Sequence, residues 1–301
     1  MRQSTQFHQV KLIVDSFRGT YSITQVLRVL GIAKSSYYAA FKRSESKRSQ
    51  QNKELLTMIR QIWFDSRKLY GAPKIHAELR KKSKRVGIKR VQRIMKENGI
   101  RSIVQKKYRP AHGAACSKEQ PERLNLVNQN FDVRTVGNVV FTDITYIYTK
   151  RDRWVYLASF YDAKTKRIVG WNMSRTIDTA LVLEAYNRMK VQLSSTKNLI
   201  IHSDQGVQYT STAYIEALKN DGYRASYSRK AYPYDNACIE SFHSVLKKEL
   251  VYRMQFNDFE DAHLRIFQYI EGWYNNQRIH SALGYRTPNE YAKLLAQQKV
   301  S

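Results

Sequence analysis

Three carboxylate side chains stand where an ionised group is costly, and they constrain the fold of this chain most. Asp143 interrupts the apolar run Val-Val-Phe-Thr-Asp-Ile-Thr-Tyr-Ile, and Asp204 directly follows the run Ile-Ile-His-Ser. Glu240 lies on a helical pattern, Cys-Ile-Glu-Ser-Phe-His. A carboxylate in such surroundings is unfavourable unless it is paired or bound to a metal. We therefore expect a fold in which three elements bring these side chains to one site.

The composition of that site indicates its chemistry. Three carboxylates without a thiolate or a histidine cluster make a hard, oxygen-rich site, which suits Mg²⁺, or Mn²⁺ in its place, better than zinc. Two such ions about 3.5–4 Å apart can activate an attacking oxygen and stabilise a leaving one. The residues thus favour metal-assisted phosphoryl transfer.

The order of the elements around the carboxylates predicts an α/β fold. Three strands come first and alternating helices and strands follow, which predicts a mixed sheet with helices on both faces. Period-two alternation places Asp143 on one strand face with Phe141 and Thr145. The predicted strands are 138–148, 153–162, 166–174, 199–202 and 224–228, and the predicted helices are 179–193 (with Asp178 as N-cap), 211–220 and 236–253.

The charge of the chain points to a polyanionic partner. The formal net charge is +27 over 301 residues, and residues 1–128 carry 29 basic and 8 acidic side chains, net +21, against 23 and 17, net +6, in the remainder. This imbalance favours a DNA-binding first part and a catalytic second part. We expect two reduced thiols, Cys116 and Cys238, no membrane span, and a cytoplasmic protein.

Residues 1–45 are predicted to form a helix-turn-helix module. Apolar residues at helical spacing from Ile23 to Leu30 precede Gly31, which permits a tight turn, and a second helix opens at Lys34 and Ser35. In a DNA-binding unit that second helix would enter the major groove, so Lys34 and Ser35 are candidate DNA contacts. The same pattern also occurs in ordinary bundles, where it serves packing or protein contact.

Residues 50–103 are predicted to form a second helix-turn-helix-like module. A helix over 52–66 follows a polar break at 42–51, and a helix starting at Tyr-Gly-Ala-Pro follows it. A basic helix then ends near Gly99, with Lys89, Arg90 and Arg93 on its outer face as candidate DNA contacts. The alternative for this face is a solvated surface on a structural bundle.

The rest of the chain divides into a linker and a catalytic body. Residues 104–130 read as a basic linker, and residues 131–301 as the catalytic domain with a C-terminal helical extension. Two capping pairs, Asn257 with Glu260 and Thr287 with Glu290, are predicted to open the helices of that extension. The first of these helices is expected to bury Leu264 and Phe267.

The motifs around the carboxylates resemble those of a known superfamily. Asp204 and Glu240 are separated by 35 residues, and the chain carries Thr-Asp-Ile-Thr-Tyr, His-Ser-Asp-Gln-Gly-Val-Gln-Tyr, Asp-Asn-Ala-Cys-Ile-Glu-Ser-Phe-His and Tyr-Asn-Asn-Gln-Arg-Ile-His-Ser-Ala-Leu-Gly-Tyr-Arg-Thr-Pro in that order. These motifs, over residues 50–295, resemble the DDE transposase and retroviral-integrase superfamily, and more narrowly the bacterial insertion-sequence transposases. In that group the catalytic subunit is commonly the second of two overlapping reading frames.

The resemblance implies an RNase H-like integrase catalytic core behind helix-turn-helix modules. It implies that Asp143, Asp204 and Glu240 are catalytic and bind the metal ions. Water would first free a 3′-hydroxyl at the element's end, and that hydroxyl would then attack a second phosphodiester. Lys247 matches a basic position that contacts DNA near the active site in related integrases, the alternative being a solvated lysine.

The expected partners are double-stranded DNA of the element ends and target, further copies of the chain on DNA, and an upstream-frame protein or fusion.

Two rival interpretations remain: a DNA-binding regulator or domesticated remnant with a non-catalytic core, and an RNase H-like nuclease that cuts without joining. Intact carboxylates argue against the first, and two DNA-reading modules argue against the second. The residues leave open whether His202 orients a carboxylate or packs in the core, and what Arg278 and His280 do.

Overall fold

The computed structural model describes residues 2–42, 46–104, 124–127, 138–193, 198–229 and 233–298. Within these ranges an all-helical first part precedes a five-stranded sheet with helices on both faces. The predicted α/β class and the order of its elements are confirmed.

The first three helices form a small unit with its own core. They are α1 (Arg2–Ser16), α2 (Ile23–Val29) and α3 (Lys34–Lys42). Ser22 caps α2 in a capping box with Gln25, and Gly31 makes the following turn at φ +66°. The predicted helix, turn and helix are thus present, and Lys34 begins α3 as expected. The core of the unit consists of Val10, Val14, Val26, Leu27 and Tyr37.

The second helical unit is α4 (Lys47–Asp65), α5 (Ala72–Lys81) and α6 (Ile88–Glu97). The prediction that α4 begins at Asn52 is wrong, because Ser46 accepts a hydrogen bond from the Ser49 amide and caps a helix that starts in a polar stretch. That first turn is exposed, so no apolar periodicity signalled it. Of the predicted polar break, residues 43–45 lie outside the described residues.

The sheet has the strand order β3-β2-β1-β4-β5. β1 pairs antiparallel with β2, and β2 with β3, whereas β1 pairs parallel with β4, and β4 with β5. The strands are β1 (Val139–Thr149), β2 (Arg153–Asp162), β3 (Ile168–Ser174), β4 (Ile200–Ser203) and β5 (Arg224–Tyr227). The mixed pairing follows from the connections: tight hairpins join the first three strands, and helices lead into the last two.

Side chains on the two faces of the sheet belong to two separate hydrophobic cores. α7 (Thr179–Leu193) and α8 (Thr212–Asn220) cover the face that carries Val140 and Phe160. α9 (Ala237–Glu249) and the second helical unit belong to the core of the opposite face, which carries Phe141. Asp178 caps α7 through the Leu181 amide, as predicted.

α9 is shorter than the sequence suggested. The predicted helix to Arg253 is broken at Leu250, whose φ of −128° and ψ of −66° are not helical, and a 3₁₀ turn follows over Val251–Arg253. The buried stripe Ile239, Phe242 and Leu246 is confirmed.

The C-terminal extension consists of α10 (Phe259–Phe267), a π-helical segment (Gln268–Tyr274) and α11 (Pro288–Gln297). The predicted Asn257 cap is wrong by one residue: Asp258 accepts from the Asp261 amide. The predicted burial of Leu264 and Phe267 is also wrong, because both are about half exposed, at 51% and 50%. The capping box of Thr287 and Glu290 is confirmed.

The wider π turn changes which side chains face inward. It buries Tyr269, Ile270, Trp273 and Tyr274. These residues share one continuous core with the second helical unit and one face of the sheet.

Of the predicted linker, the structure describes residues 104 and 124–127. The latter lie beside β5, where the Tyr227 amide donates to the carbonyl of Leu124 and the Leu126 amide donates to Ser226 Oγ. Cys116 lies outside the described residues, and Cys238 is a half-buried free thiol. In the described part of the chain, no helix combines the length and apolarity needed to cross a bilayer.

Candidate active site at the ends of β1 and β4

Strand register brings Asp143 and Asp204 to the same level. β1 and β4 run parallel, with Phe141 opposite His202, and each aspartate comes two residues after its member of that pair. β4 ends at Ser203, so β1 continues past its neighbour at the point where both carboxylates stand. This is the carboxyl edge where open sheets place their ligand crevices.

The two carboxylates influence each other. Although Asp204 as a whole is exposed, burial of its carboxyl group raises its pKa, and the negative charge of Asp143 raises it further. The amide of Gly206 donates to Asp204 Oδ1 at 3.0 Å and acts in the opposite direction. Two like charges held this close favour the entry of a cation.

Gly206 is needed for this arrangement. A Cβ atom at that position would lie 3.0 Å from Asp204 Oδ1 and 3.3 Å from the side chain of Gln208. A side chain at residue 206 would therefore push the Asp204 carboxylate or Gln208 aside by a few tenths of an ångström.

Asp143 is oriented by a histidine that the sequence analysis missed. The amide of Ile144 donates to its Oδ1 at 2.8 Å, and Nδ1 of the buried His243 lies 3.4 Å from its Oδ2. The other ring nitrogen of His243 is 3.5 Å from Ser159 Oγ. The available signal was spacing: His243 follows Glu240 by three residues, so both lie on the same side of α9.

The helix that carries Glu240 is tied to β1 at its start. Asn236 donates from Nδ2 to the carbonyl of Thr142, the residue before Asp143, at 3.3 Å. Glu240 lies one turn into α9 and is exposed. Asp143 thus contacts His243 and lies level with Asp204, and Glu240 lies on the helix that is tied to β1.

The described side chains do not form a closed metal cage. Among the described residues, no three His, Cys, Asp or Glu side chains approach closely enough to hold a metal ion. The donor set still fits a hard divalent cation, because Asp143 and Asp204 offer carboxylate oxygens whose mutual repulsion such an ion would relieve.

The loop before α9 is fixed by a buried carboxylate. Asp235 is fully buried and accepts from the backbone amide and the guanidinium of Arg229, with side-chain distances of 3.1 Å. Asn125 donates to it as well, at 2.9 Å. These contacts anchor the N-terminal end of the helix that carries Glu240.

Glu249, at the other end of α9, has a structural role. It is paired with Arg278 at 2.9 Å, and Tyr269 donates to its Oε2, also at 2.9 Å. Burial disfavours its charge, but Arg278 outweighs that effect and holds the pKa of the Glu249 carboxyl below its ordinary value. Arg278 also donates to Nε2 of His280 at 3.1 Å, and burial lowers the pKa of His280 to about 2. Both residues therefore belong to the support of α9.

His202 is fully buried, and its ring nitrogens face two serine side chains of the neighbouring segment. Its ring nitrogens lie 2.8 Å from Ser226 Oγ and 3.0 Å from Ser228 Oγ. Burial lowers its pKa to about 4, so it is neutral at physiological pH. Of the two roles left open, the structure supports packing.

The predicted DNA contacts have different surroundings. Lys34, Ser35, Lys89 and Arg93 are exposed. Arg90 is half-buried and donates to Asn52 at 2.9 Å, so the prediction that it lies on the outer face is wrong.

The second helical unit also has an open basic cleft of about 600 Å³. Arg80, Lys84 and Arg85 line it together with His76 and Gly87. The cleft lies at the turn between α5 and α6, beside the exposed Lys89.

Known protein families match the second helical unit and the catalytic body. Residues 50–108 match the HTH-like domain, and residues 134–233 and 221–288 match two Integrase core domain families. The transposase for insertion sequence element IS904 of Lactococcus lactis is 35% identical over 252 residues, which is 83% of this chain and 98% of that protein. The chain belongs to the insertion-sequence transposases.

Other relatives of this transposase include InsF of insertion sequence IS3A from Escherichia coli, 31% identical over 286 residues, 93% of this chain and 97% of InsF. Among solved structures, the catalytic core of HTLV-2 integrase in complex with magnesium aligns with 51% of this chain and 94% of its own, at a TM-score of 0.40 and 13% identity. The catalytic domain of Mos1 mariner transposase aligns with 53% of this chain and 86% of its own, at a TM-score of 0.38 and 14% identity.

Proposed function

We propose that this transposase binds the ends of an insertion sequence, cleaves phosphodiester bonds by metal-assisted hydrolysis to free 3′-hydroxyl ends, and joins those ends to target DNA. The main support for the proposal is that Asp143 and Asp204 lie at the same level on neighbouring parallel strands, and that the helix carrying Glu240 is anchored to β1. The bacterial cytoplasm, where such DNA lies, would be the place of action.

Asp143, Asp204 and Glu240 would hold Mg²⁺, or Mn²⁺ in its place, as two ions. When bound, such ions activate the attacking oxygen and neutralise charge on the leaving one. His243 would orient Asp143, the Gly206 amide would fix Asp204, and Asn236 would hold the start of α9 against β1. No covalent link between protein and DNA is required, because water and then the 3′-hydroxyl act as nucleophiles.

The two helical units would bind the DNA. Lys34 and Ser35 on α3, and Lys89 and Arg93 on α6, are exposed on helices whose side chains can reach a major groove. Lys247 would contact phosphate near the carboxylates. Further copies of the chain, and an upstream-frame protein or fusion, are proposed as partners on the DNA.

Removal of either aspartate charge tests the assignment. Asp143→Asn and Asp204→Asn keep the size of the side chain, so each variant should lose cleavage and strand transfer together and still bind element-end DNA. The measurement is cleavage of an end oligonucleotide and transfer of a pre-cleaved end in Mg²⁺. Mg²⁺-dependent cleavage by either variant at the wild-type rate would refute the site, and cleavage without joining by the native chain would favour the nuclease alternative.

Glu240 gives a sharper test, since Ile239 and Phe242 anchor its helix and prevent it from following a shortened side chain. Glu240→Asp withdraws the carboxylate by about one methylene, and a misplacement near 1 Å can cost about a hundredfold in rate. Mn²⁺ should restore part of the activity of Glu240→Asp and none of Glu240→Ala. Glu216→Ala, an exposed glutamate on α8, is the matched control. Full activity of Glu240→Asp in Mg²⁺ would remove Glu240 from the site.

A further inference from the structure

Three large aromatic side chains are exposed together on the hairpin of β1 and β2. Tyr146, Tyr148 and Trp154 have exposed fractions of 56%, 45% and 49%. The Trp154 ring lies 5.2 Å from each tyrosine ring, edge to face. Burial of an aromatic ring is favourable, so a cluster of three left in water indicates a surface with a binding role.

The cluster lies where the helical cover of the sheet stops. Tyr146 and Tyr148 occupy the same face of β1 as Ile144, and Tyr148 is opposite Trp154 in the register. Among the described residues, the core under α7 and α8 includes Ile144 and Tyr156 at its margin but not the three exposed rings. The aromatic surface is therefore a continuation of the sheet beyond its packed region.

Basic groups accompany the rings. Lys247 Nζ lies 4.5 Å from the centre of the Tyr146 ring, and Arg153 donates from Nη1 to the Tyr148 hydroxyl at 3.0 Å. Alternation of exposed aromatic rings with cations suits single-stranded nucleic acid, whose bases stack on the rings and whose phosphates pair with the cations. An intact duplex keeps its bases stacked inside and leaves such rings without a partner.

The position of the surface connects it to the carboxylates. Tyr146 follows Asp143 by three residues on β1, about 10 Å along the strand. Lys247 follows Glu240 by two turns of α9. Tyr146 lies on the face of β1 opposite to that of Asp143, but the pairing of β1 with β4 ends at Phe141, and Lys247 reaches the Tyr146 ring from the helix that carries Glu240. A DNA strand that has a phosphate at the carboxylates and passes this edge of β1 would reach these rings within a few nucleotides.

We propose that Tyr146, Tyr148 and Trp154 form a stacking platform for unpaired nucleotides of the DNA strand held at the active site, with Lys247 and Arg153 against its phosphates. The proposal rests on the function proposed above. Because stacking offsets part of the cost of opening the last base pairs, the platform would favour frayed ends over closed ones.

Photo-crosslinking locates the bound strand without any substitution. The probe is an oligothymidylate of about twelve nucleotides carrying 5-iodouracil, mixed with the full chain. Cross-links should map to the segment 146–156. Cross-links confined to other segments would overturn the platform.

Affinity measurements separate stacking from charge. Trp154→Ala should weaken binding of the same oligothymidylate about tenfold, a size consistent with the loss of one stacked base, with little change in its salt dependence. Trp154→Phe should retain most of the affinity, and binding of a closed duplex should not change. Phe267→Ala, a half-exposed aromatic on α10, is the control. Equal losses on single strand and duplex, or none on either, would refute stacking.

Failure of the stacking platform can be distinguished from failure of the proposed catalytic function. Asp143→Asn should cross-link like the native chain, because stacking needs no chemistry. Normal cleavage by that variant would refute the carboxylate site and leave the platform standing, whereas carboxylate-dependent cleavage without cross-links at 146–156 would refute the platform alone. Self-association that Trp154→Ala abolishes, without cross-links to the segment, would instead show an interface between copies.

Discussion

At the scale of single residues, three groups orient the carboxylates of the candidate site or the elements that carry them. His243 contacts Asp143, the Gly206 amide donates to Asp204, and Asn236 ties the helix of Glu240 to β1. A carboxylate that is fixed before the substrate arrives needs no reorganisation during the reaction. These supporting residues are therefore as specific to the site as the carboxylates.

His202 supports a prediction about acid stability. Burial lowers its pKa to about 4, against about 6.5 in an unfolded chain. Between these values the unfolded chain binds more protons, so stability is present above pH 6.5 and falls as the pH falls toward 4. Between pH 7 and pH 5 the native chain should lose about 2 kcal/mol more than His202→Gln does.

Urea denaturation of both proteins at pH 7 and pH 5 measures this difference. His280 also has a lowered pKa, but it is present in both proteins and cancels in the comparison. Identical losses in the two proteins would mean that His202 is not held neutral by its surroundings.

At the scale of elements, the spacing between the sheet and α7 depends on one glycine of β3. Gly170 on β3 lies against α7, and a Cβ atom there would be 2.4 Å from the carbonyl oxygen of Ala185 and 2.7 Å from the amide nitrogen of Met189. Those are backbone atoms of a helix and cannot turn aside as a flexible side chain would. The absence of a side chain at residue 170 thus sets the spacing of helix and sheet.

Gly170→Ala should therefore destabilise the protein by about 3 kcal/mol, at the upper end of the usual cost of overpacking. Gly272→Ala is the matched control, because no atom lies within 4 Å of a Cβ built there; this change should be neutral or slightly stabilising. Chemical denaturation of the two variants gives the comparison. Equal stability of Gly170→Ala and the native chain would show that α7 can shift away at little cost.

At the scale of the whole molecule, the second helical unit and the catalytic body share one core. Leu55, Ile75 and Trp273 belong to the same buried cluster. Tyr70 also joins the two parts: its hydroxyl donates to the carbonyl of Gln277 at 3.1 Å and accepts from the Ile279 amide at 2.9 Å. DNA bound by the helical unit would accordingly be held in a set relation to the carboxylates.

Tyr70→Phe tests this joint. It leaves the buried Ile279 amide without its acceptor, which should cost about 1–3 kcal/mol. Calorimetry should show one transition for these two parts, shifted to lower temperature in the variant. Tyr38→Phe, at an exposed tyrosine of α3, should leave the melting temperature unchanged. Two transitions, with only the first shifted, would show that the parts unfold separately.

Local sequence patterns were sufficient to predict most of the helices and strands. Alternation located β1 and the face of Asp143, and the stripe Ile239, Phe242 and Leu246 located α9. Errors arose where the signal was not apolar periodicity: the polar start of α4, the end of α9 at Leu250, and the π segment that exposes Phe267. Backbone geometry and capping contacts set where such helices begin and end, and many different residue patterns allow the same boundary.

The family, the class of fold and the three candidate carboxylates could be predicted from the chain alone, because each depends on residue types and their spacing along the chain. The residues that surround the carboxylates could be identified only in the folded protein. His243 beside Asp143, Glu249 paired with Arg278, Arg90 turned toward Asn52, and the exposed rings of Tyr146 and Trp154 all depend on elements far apart in the chain. A side chain's partner is set by strand register and helix packing, and no local pattern encodes these.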